Sequence, residues 1–253
     1  MIVKSRTKSR RSQMDIPSAI LAGGIGSRLR EVLGTTPKSL APVGGRPFLD
    51  YQLSWLSSSG IRDVVLCVGY KRAEVQKFVA CGQQWELNIR YAVEQQALGT
   101  AGALKNAEAL IAKYPLLVLN GDSLLEIDLG AFVEFHEQHH AIATLGLARV
   151  AASSRYGSVL LDCKNRILSF TEKNTRAMES ANTLQLINGG IYLFSREIMD
   201  MIPAHKSVSL EREIFPRLAG KRIFGYTNTG YFIDIGVPED FEKAQRELPL
   251  LKI

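Results

Sequence analysis

The segment SAILAGGIGSR, residues 18–28, decides how the chain is read. Its first half is a short apolar run consistent with a buried strand, and its second half is a glycine-rich turn ending in Ser27 and Arg28. Gly23, Gly24 and Gly26 let backbone N–H groups turn inward on a phosphate chain, because a side chain there would block close approach. Two familiar phosphate loops do not fit. A dinucleotide fingerprint needs a third glycine where Leu29 stands, and an acid about twenty residues on, where Gly44 and Gly45 stand. A P-loop needs Gly-Lys-Ser/Thr, whereas Lys38 follows Pro37. What remains is a strand over 18–23, a glycine loop with its own cation, Arg28, and a second cation, Lys38, ten residues later. The alternative is a tight turn that binds nothing; two cations able to converge on one strand end favour phosphate.

Outward from this point, apolar β-branched runs alternate with helix-like periods, the pattern of β-α-β units on a parallel sheet. Residues 47–60 read as a helix ended by Gly60, 63–69 as a strand, 71–81 as a helix, 87–93 as a strand, 100–111 as a helix and 114–120 as a strand. Asp128 can cap a helix running to about His139, and 141–150 reads as another buried strand. From 155 onward YGSVLLD, RILSFTE and LINGGIYLF follow one another without helix-length spacers, which predicts an antiparallel or mixed extension; 174–185 reads as a loop. Ser195 and Ser209 are candidate caps for two short helices, 220–236 supplies the last strands, and a terminal helix begins at Pro238. The expectation is one α/β domain over 15–253 with a smaller β-rich part, preceded by a basic, disordered tail over 1–14.

Composition limits the function classes. The 253 residues are 46% hydrophobic and 22% charged, with 31 Lys plus Arg against 25 Asp plus Glu. That is an ordinary globular composition, long enough to bury a large core. The net charge of +6 suggests a polyanionic partner until it is located: Lys4, Arg6, Lys8, Arg10 and Arg11 lie in the first fourteen residues, and without those five the body has 26 bases against 25 acids. Bulk basicity therefore gives no reason to expect nucleic acid. The tail lacks the apolar centre of a secretory signal, and no run approaches the roughly 18 apolar residues of a membrane span. Cys67, Cys81 and Cys163 are odd in number and show no metal-ligand spacing, so they are expected to pack as reduced thiols in a cytoplasmic setting. His136, His139 and His140 read as surface residues.

Other motifs carry chemistry. Asn120-Gly121-Asp122-Ser123 follows an apolar strand, where open α/β sheets bind ligands, and Asp122 is a candidate Mg²⁺ ligand because Mg²⁺ takes one or two carboxylates plus phosphate oxygens. Asp234 follows a second apolar strand; if both return to one crevice they form a two-carboxylate metal site. In EQQALGTAGAL (94–104), Leu98 to Gly102 can bring bare backbone against a flat ring, and Glu94 can accept hydrogen bonds from a base edge. Glu172 and Lys173 offer a cation to a second phosphate, or are a solvated pair, and Asn188-Gly189-Gly190 is a polar turn within a strand-like run.

With these pieces in order, the chain resembles the sugar-1-phosphate nucleotidylyltransferase family from Ile16 to about Leu248. The resemblance rests on LAGGIGSRLR (21–30), TPKSLAPVGGRPFLDY (36–51), EQQALGTAGAL, LNGDS (119–123), RYGSV (155–159), FTEK (170–173), INGGIY (187–192) and YFIDIGVPEDF (231–241). It implies a Rossmann-like α/β fold, a mixed but mainly parallel sheet flanked by helices with a smaller β-rich sugar-binding part. It also implies transfer of a nucleotidyl group from a nucleoside triphosphate to a sugar 1-phosphate with Mg²⁺.

The roles implied fall on Leu21, Gly23, Gly24, Gly26, Ser27, Arg28, Lys38, Glu94, Gly99 and Thr100 for the nucleotide. Asn120, Gly121, Tyr156, Gly157, Glu172, Lys173, Asn188 and Gly189 serve the sugar phosphate, Asp122 and Asp234 the metal, and Arg28, Lys38 and Lys173 catalysis. Within the family the wording is similar to D-glycero-D-manno-heptose 1-phosphate guanylyltransferases, which makes GTP the expected donor. Mannose-1-phosphate guanylyltransferases share LGTAGAL and supply the alternative, with UTP or dTTP enzymes and a non-catalytic nucleotide-sugar-binding subunit further off. Ser27 stands where the family has threonine, and Ser39–Leu40 where a proline follows the lysine; neither removes a charged group. The chain ends soon after its last helix, so no acyltransferase β-helix is expected, and a homo-oligomer is compatible with the sequence.

Overall fold

The computed structural model describes residues 14–24, 26, 29–151, 157–170, 184–228 and 230–251. Its first strand, β1 (Ser18–Leu21), arises from the opening segment and is followed by the glycine loop and one helical turn, α1 (Arg30–Leu33). A small hairpin, β2 (Pro42–Val43) and β3 (Arg46–Pro47), leads into α2 (Phe48–Ser58). Alternation then proceeds as read from the sequence: β4 (Asp63–Val68), α3 (Arg72–Val79), β5 (Asn88–Val93), α4 (Gly99–Asn106), β6 (Leu116–Asn120). The predicted helix over 100–111 stops at Asn106 and continues only as a 3₁₀ turn, Glu108–Leu110.

A short strand, β7 (Ser123–Leu125), precedes α5 (Leu129–Gln138), whose first turn is closed by Asp128 Oδ1 accepting from Ala131 N at 3.0 Å, the expected cap. The β-rich part follows as β8 (Ala143–Ala151), β9 (Val159–Leu161), β10 (Ile167–Phe170) and β11 (Leu184–Phe194). Last come α6 (Glu197–Asp200), a π turn at Leu210–Ile214 running into α7 (Phe215–Leu218), β12 (Ile223–Asn228), β13 (Phe232–Asp234) and α8 (Pro238–Glu247). Of the two candidate caps, Ser209 Oγ accepts from Arg212 N at 3.2 Å, whereas Ser195 caps nothing with its side chain: its hydroxyl is buried without a partner and only its carbonyl meets Ile198 N.

Seven strands form one sheet in the order β12-β8-β11-β6-β1-β4-β5. All run parallel except β11, which is antiparallel to both neighbours. The mainly parallel α/β sheet expected from the sequence is what forms. Period-two alternation sends neighbouring residues to opposite faces: Ala19, Val65, Cys67 and Val118 pack beneath α4 and the 210–218 segment, while Ile20, Val64, Leu66 and Leu119 pack beneath α2, α3 and α5. A third cluster, including Leu29, Val43, Phe48, Ile233, Ile235 and Phe241, holds α8 and the β7/β13 pair against the start of α2. Each such side chain removed from water contributes about 1.5–3 kcal/mol. Among the described residues no helix is long and apolar enough to cross a membrane.

Three expectations need correction. His136 is buried, with Nδ1 at 2.8 Å from Thr144 Oγ1, because the apolar stripe of α5 turns this position toward β8. His139 is half-buried and stacks on Phe135; of the three, only His140 is exposed. All three cysteines are free, but only Cys67 packs in the core, since Cys81 and Cys163 lie in exposed turns. The expected tail also ends one residue early: Met14 donates its N–H to Gly60 O and packs at the edge of the second cluster, while the rest of the tail lies outside the described residues.

Candidate functional site

β1 is the point where the strand order reverses. The chain moves from β1 outward to β4 and β5 on one side and returns to β6 on the other, so the loops after β1 and β6 diverge and leave a crevice between them. A cleft of about 1250 Å³ opens there. Its floor is the end of these strands: Leu21, Gly23 and Gly24 after β1, Glu94 after β5, and Asn120 and Asp122 after β6. Gly121 is small for a packing reason, since its N–H donates to Leu21 O at 3.0 Å and a Cβ would lie 2.7 Å from that oxygen.

The second carboxylate reaches the same place through β13. This strand pairs with β7 so that Asp234 stands opposite Ser123, and Ile235 N donates to Asp122 O at 2.9 Å. Lys38 Nζ lies 2.6 Å from Asp122 Oδ2, and its stem supports the glycine loop, with Cβ 3.0 Å from where a side chain at Gly26 would begin. Burial pushes the Asp234 carboxyl up to about 6; the charge of Asp122 pushes the same way, against Lys38 and the Gly236 N–H that Oδ1 accepts at 2.7 Å. Asp122 Oδ1 and Asp234 Oδ2 accept no hydrogen bond among the described residues. Two adjacent carboxylates with one lysine are therefore short of positive charge, which is what a divalent cation completed by phosphate oxygens would supply.

A buried glutamine holds this arrangement and was not singled out in the sequence. Gln52 of α2 donates through Nε2 to Asn120 O at 2.8 Å and to Ser123 O at 2.9 Å, clamping the turn that carries Asp122 from both sides. Its sequence signal is a polar residue on the apolar stripe of an amphipathic helix, a position that requires a polar partner.

Glu94 sits 8% exposed at the end of β5 and faces the cleft. One oxygen, Oε2, accepts from Leu98 N at 3.1 Å, fixing the loop into α4, and the other lies 2.5 Å from where a Cβ of Gly23 would stand. Burial raises its carboxyl above the ordinary range, opposed by the Leu98 N–H. Gly99 and Gly102 have a packing explanation of their own: a Cβ would meet Val208 O at 2.5 Å and Lys206 O at 2.4 Å, and the N–H groups of Ala101 and Gly102 donate to Val208 O. Their bareness seats the 206–208 segment on α4; Gly99 and Thr100 also line the cleft.

The far wall is a neutral network closed by one acid. Tyr192 of β11 is fully buried, and its hydroxyl accepts from Asn120 Nδ2 at 3.2 Å and Asn188 Nδ2 at 3.0 Å. With both lone pairs used, its proton points to Glu211 Oε1, 3.5 Å away, and burial keeps that phenol protonated. Glu211 Oε2 accepts from Thr100 Oγ1 and Ser209 Oγ, each at 2.8 Å. One consequence is that Asn120 turns its carbonyl oxygen away from Tyr192, buried and without a partner. The Asn188-Gly189-Gly190 stretch is a bulge in which β11 gains residues relative to β8; Gly190 has φ +74° and a Cβ there would lie 2.0 Å from Ser123 Oγ.

Of the residues expected at the site, Leu21, Gly23, Gly24, Glu94, Gly99, Thr100, Asn120, Asp122, Gly157, Asn188 and Asp234 line this cleft, and Lys38 reaches it through Asp122. Gly26, Gly121 and Gly189 do not line it; a Cβ at each would press on Lys38, on the backbone of Leu21, and on Leu125 and Gly146. Ser27, Arg28, Tyr156, Glu172 and Lys173 lie outside the described residues. Glu211, Arg212, Phe215 and Pro216 line the cleft without having been expected.

Comparison with known proteins agrees with this geometry. A family model described as nucleotidyl transferase matches residues 18–249. The chain is 36% identical to the mannose-1-phosphate guanylyltransferase of Mycobacterium tuberculosis, covering 92% of this chain and 64% of that one, so it spans just under two thirds of that relative. It is 35% identical to the D-glycero-alpha-D-manno-heptose 1-phosphate guanylyltransferase of Aneurinibacillus thermoaerophilus, covering 90% of this chain and 96% of that one. The crystal structure of HddC from Yersinia pseudotuberculosis superposes with a TM-score of 0.80 at 31% identity, over 92% of this chain and 99% of that one; HddC has also been solved complexed with GMP-PN. A glycine loop and two carboxylates gathered at a switch point, in a chain matched over almost its whole length, place it in the nucleotidyl transferase family.

Proposed function

We propose that the chain transfers GMP from GTP to a sugar 1-phosphate, releasing pyrophosphate, with D-glycero-D-manno-heptose 1-phosphate as the leading acceptor. The observation that carries this reading is the meeting of Asp122, Asp234 and Lys38 beside the glycine loop at the reversal of strand order. Guanine is supported by the two guanylyltransferase relatives and by the HddC structure complexed with GMP-PN. Heptose is supported by the relative whose length this chain nearly matches; mannose 1-phosphate is the second reading, supported by 36% identity.

The acceptor needs no base from the protein. A phosphate monoester has a second pKa near 6, so its oxygen is already largely anionic at neutral pH. The task left to the protein is to hold two anions in line and neutralise charge. Asp122 and Asp234 would hold Mg²⁺, which when bound supplies positive charge to phosphate oxygens. Gln52 keeps the Asp122 turn in place, and Lys38 anchors Asp122 while presenting its ammonium to the departing pyrophosphate. Arg28 is assigned to the same pyrophosphate, and Lys173 to the incoming sugar phosphate with Glu172, Tyr156 and Gly157. Glu94 accepts from the base edge with its cleft-facing oxygen, while Asn120 and Asn188 face the sugar. A cytoplasmic location fits substrates of this kind.

The test is pyrophosphate release from a matrix of four nucleoside triphosphates and heptose, mannose, glucose and N-acetylhexosamine 1-phosphates. GTP with heptose or mannose 1-phosphate should stand at least tenfold above every other pair. Failure of all pairs would favour a binding protein without turnover.

A further inference from the structure

We propose that the end of the sheet opposite the cleft carries a second anion site, which takes a small phosphate-class ion. At the N-terminal edge of the parallel strands a cavity of about 210 Å³ is bounded by Asp15 before β1, Arg62 and Asp63 at the start of β4, Asn88 and Arg90 on β5, and Lys113 before β6. Three cations face two carboxylates here, a net charge of +1, and neither arginine is in an ion pair among the described residues. Lys113 pairs with Asp15, and Asp63 Oδ1 is held by Asn88 Nδ2 at 2.9 Å. Arg62 gives Nη1 to two carbonyls, Ser57 O at 3.0 Å and Ile61 O at 2.7 Å, and meets no carboxylate among the described residues. The Arg90 side chain makes no hydrogen bond or ion pair among them, and its Nε is buried without a partner. A buried donor on a cation left in this state has lost its water and gained nothing in return.

The neighbouring chain cannot supply the missing charge. Residues 1–13, which lead into this edge of the sheet, contain five bases and no acid. An external anion would balance the net +1 and give the Arg90 Nε a partner. Its size is limited, because the cavity falls below the roughly 300 Å³ at which sites for drug-sized ligands begin. Orthophosphate or pyrophosphate fits this limit, and a nucleoside triphosphate does not. Arg62 is held by the two carbonyls it meets, and Arg90 stands on β5 opposite Val65, so both side chains border the one cavity. Preorganised guanidinium groups bind phosphate oxygens through paired, charge-assisted hydrogen bonds.

The experiment follows thermal unfolding while orthophosphate or pyrophosphate is titrated against sodium chloride at matched ionic strength. It is done in Lys38→Ala protein, so that the cleft contributes least and the result does not depend on the activity proposed above. The expected result is a saturating rise in Tm with one or both anions, the stronger response identifying the source. Adding Arg90→Gln, or separately Arg62→Gln, should cut that rise at least fivefold while leaving the circular dichroism spectrum unchanged. If one substitution prevents folding, the other carries the test. No rise in Lys38→Ala protein, or an undiminished rise in the folded Arg90 or Arg62 variants, would overturn the site.

Discussion

The two halves of the central sheet meet at the cleft and are built on different rules. In the parallel half, β6, β1, β4 and β5 end side by side, and three of them deliver a contribution within two residues of the strand: Gly23 after β1, Asn120 and Asp122 at β6, Glu94 after β5. In the mixed half, β11 runs against its neighbours, and the wall is made from a bulge in that strand and from a segment about twenty residues further on, around Glu211. The chemistry divides along the same line. The parallel side gathers the charged groups Asp122, Asp234 and Lys38, whereas the mixed side offers hydroxyls and amides in a fixed order of donors and acceptors. On the proposed function, phosphate chemistry would fall to the strand ends and sugar discrimination to the packed wall.

The largest expected effect tests the parallel side. Asp122→Asn should leave folding intact and reduce pyrophosphate release by about 10²–10³, equivalent to about 3–4 kcal/mol, the usual cost of one charge-stabilising contact. A folded variant with near-normal turnover would remove the division between the halves.

Next in size is the response of the mixed half to acid. Burial lowers His136, which is held neutral against Thr144 of β8, to about 4 from an ordinary value near 6.5. The native state therefore resists a proton that the unfolded chain accepts. Stability from this group is complete above pH 6.5 and is lost as pH falls toward 4, by about 3 kcal/mol in all. His136→Gln, which can keep a hydrogen bond to Thr144 without titrating, should flatten the dependence of Tm on pH between 7 and 4. An unchanged slope would show that the acid sensitivity lies elsewhere.

A smaller effect separates the two walls directly. Tyr192→Phe keeps the ring among Phe194 and Phe215 but leaves the Asn120 and Asn188 amides without their acceptor. A loss of about 2 kcal/mol, or roughly thirtyfold, is expected in kcat/KM for the sugar phosphate, with KM for the nucleotide unchanged. Equal changes in both KM values would mean that the wall is structural only. The smallest effect is Glu94→Gln, which should preserve the bond to Leu98 N but lower the preference for GTP over UTP about tenfold, or about 1.4 kcal/mol. A constant preference would restrict Glu94 to holding the loop.

Legibility follows the same boundary. The parallel strands are continuous apolar runs with glycines or acids at their ends, so Leu21, Gly23, Asn120 and Asp122 could be placed before any coordinates. Asp234 was readable for the same reason, lying at the end of Phe232–Asp234. Glu211 was not: in sequence it is one of two acids in SLEREIF, and only the seating of residues 206–208 on Gly99 and Gly102 brings it to Tyr192. Those glycines had suggested contact with a flat ring, yet their closest constraint is the backbone of Val208 and Lys206. Gln52 and His136 escaped because each is a polar residue on an apolar stripe, and a stripe does not say what waits at the other side.

By itself, the sequence determined the alternation of strands and helices, the parallel sheet and the acids that follow its strands, because apolar periodicity and glycine punctuation are local properties. Only the tertiary structure decided that Asp234 stands beside Asp122, that Gln52 clamps the turn carrying Asp122, and that Tyr192, Glu211 and Thr100 form one network. Those pairings join residues many positions apart, where burial requires every polar group to find a partner but leaves the choice of partner to the packing of the whole chain.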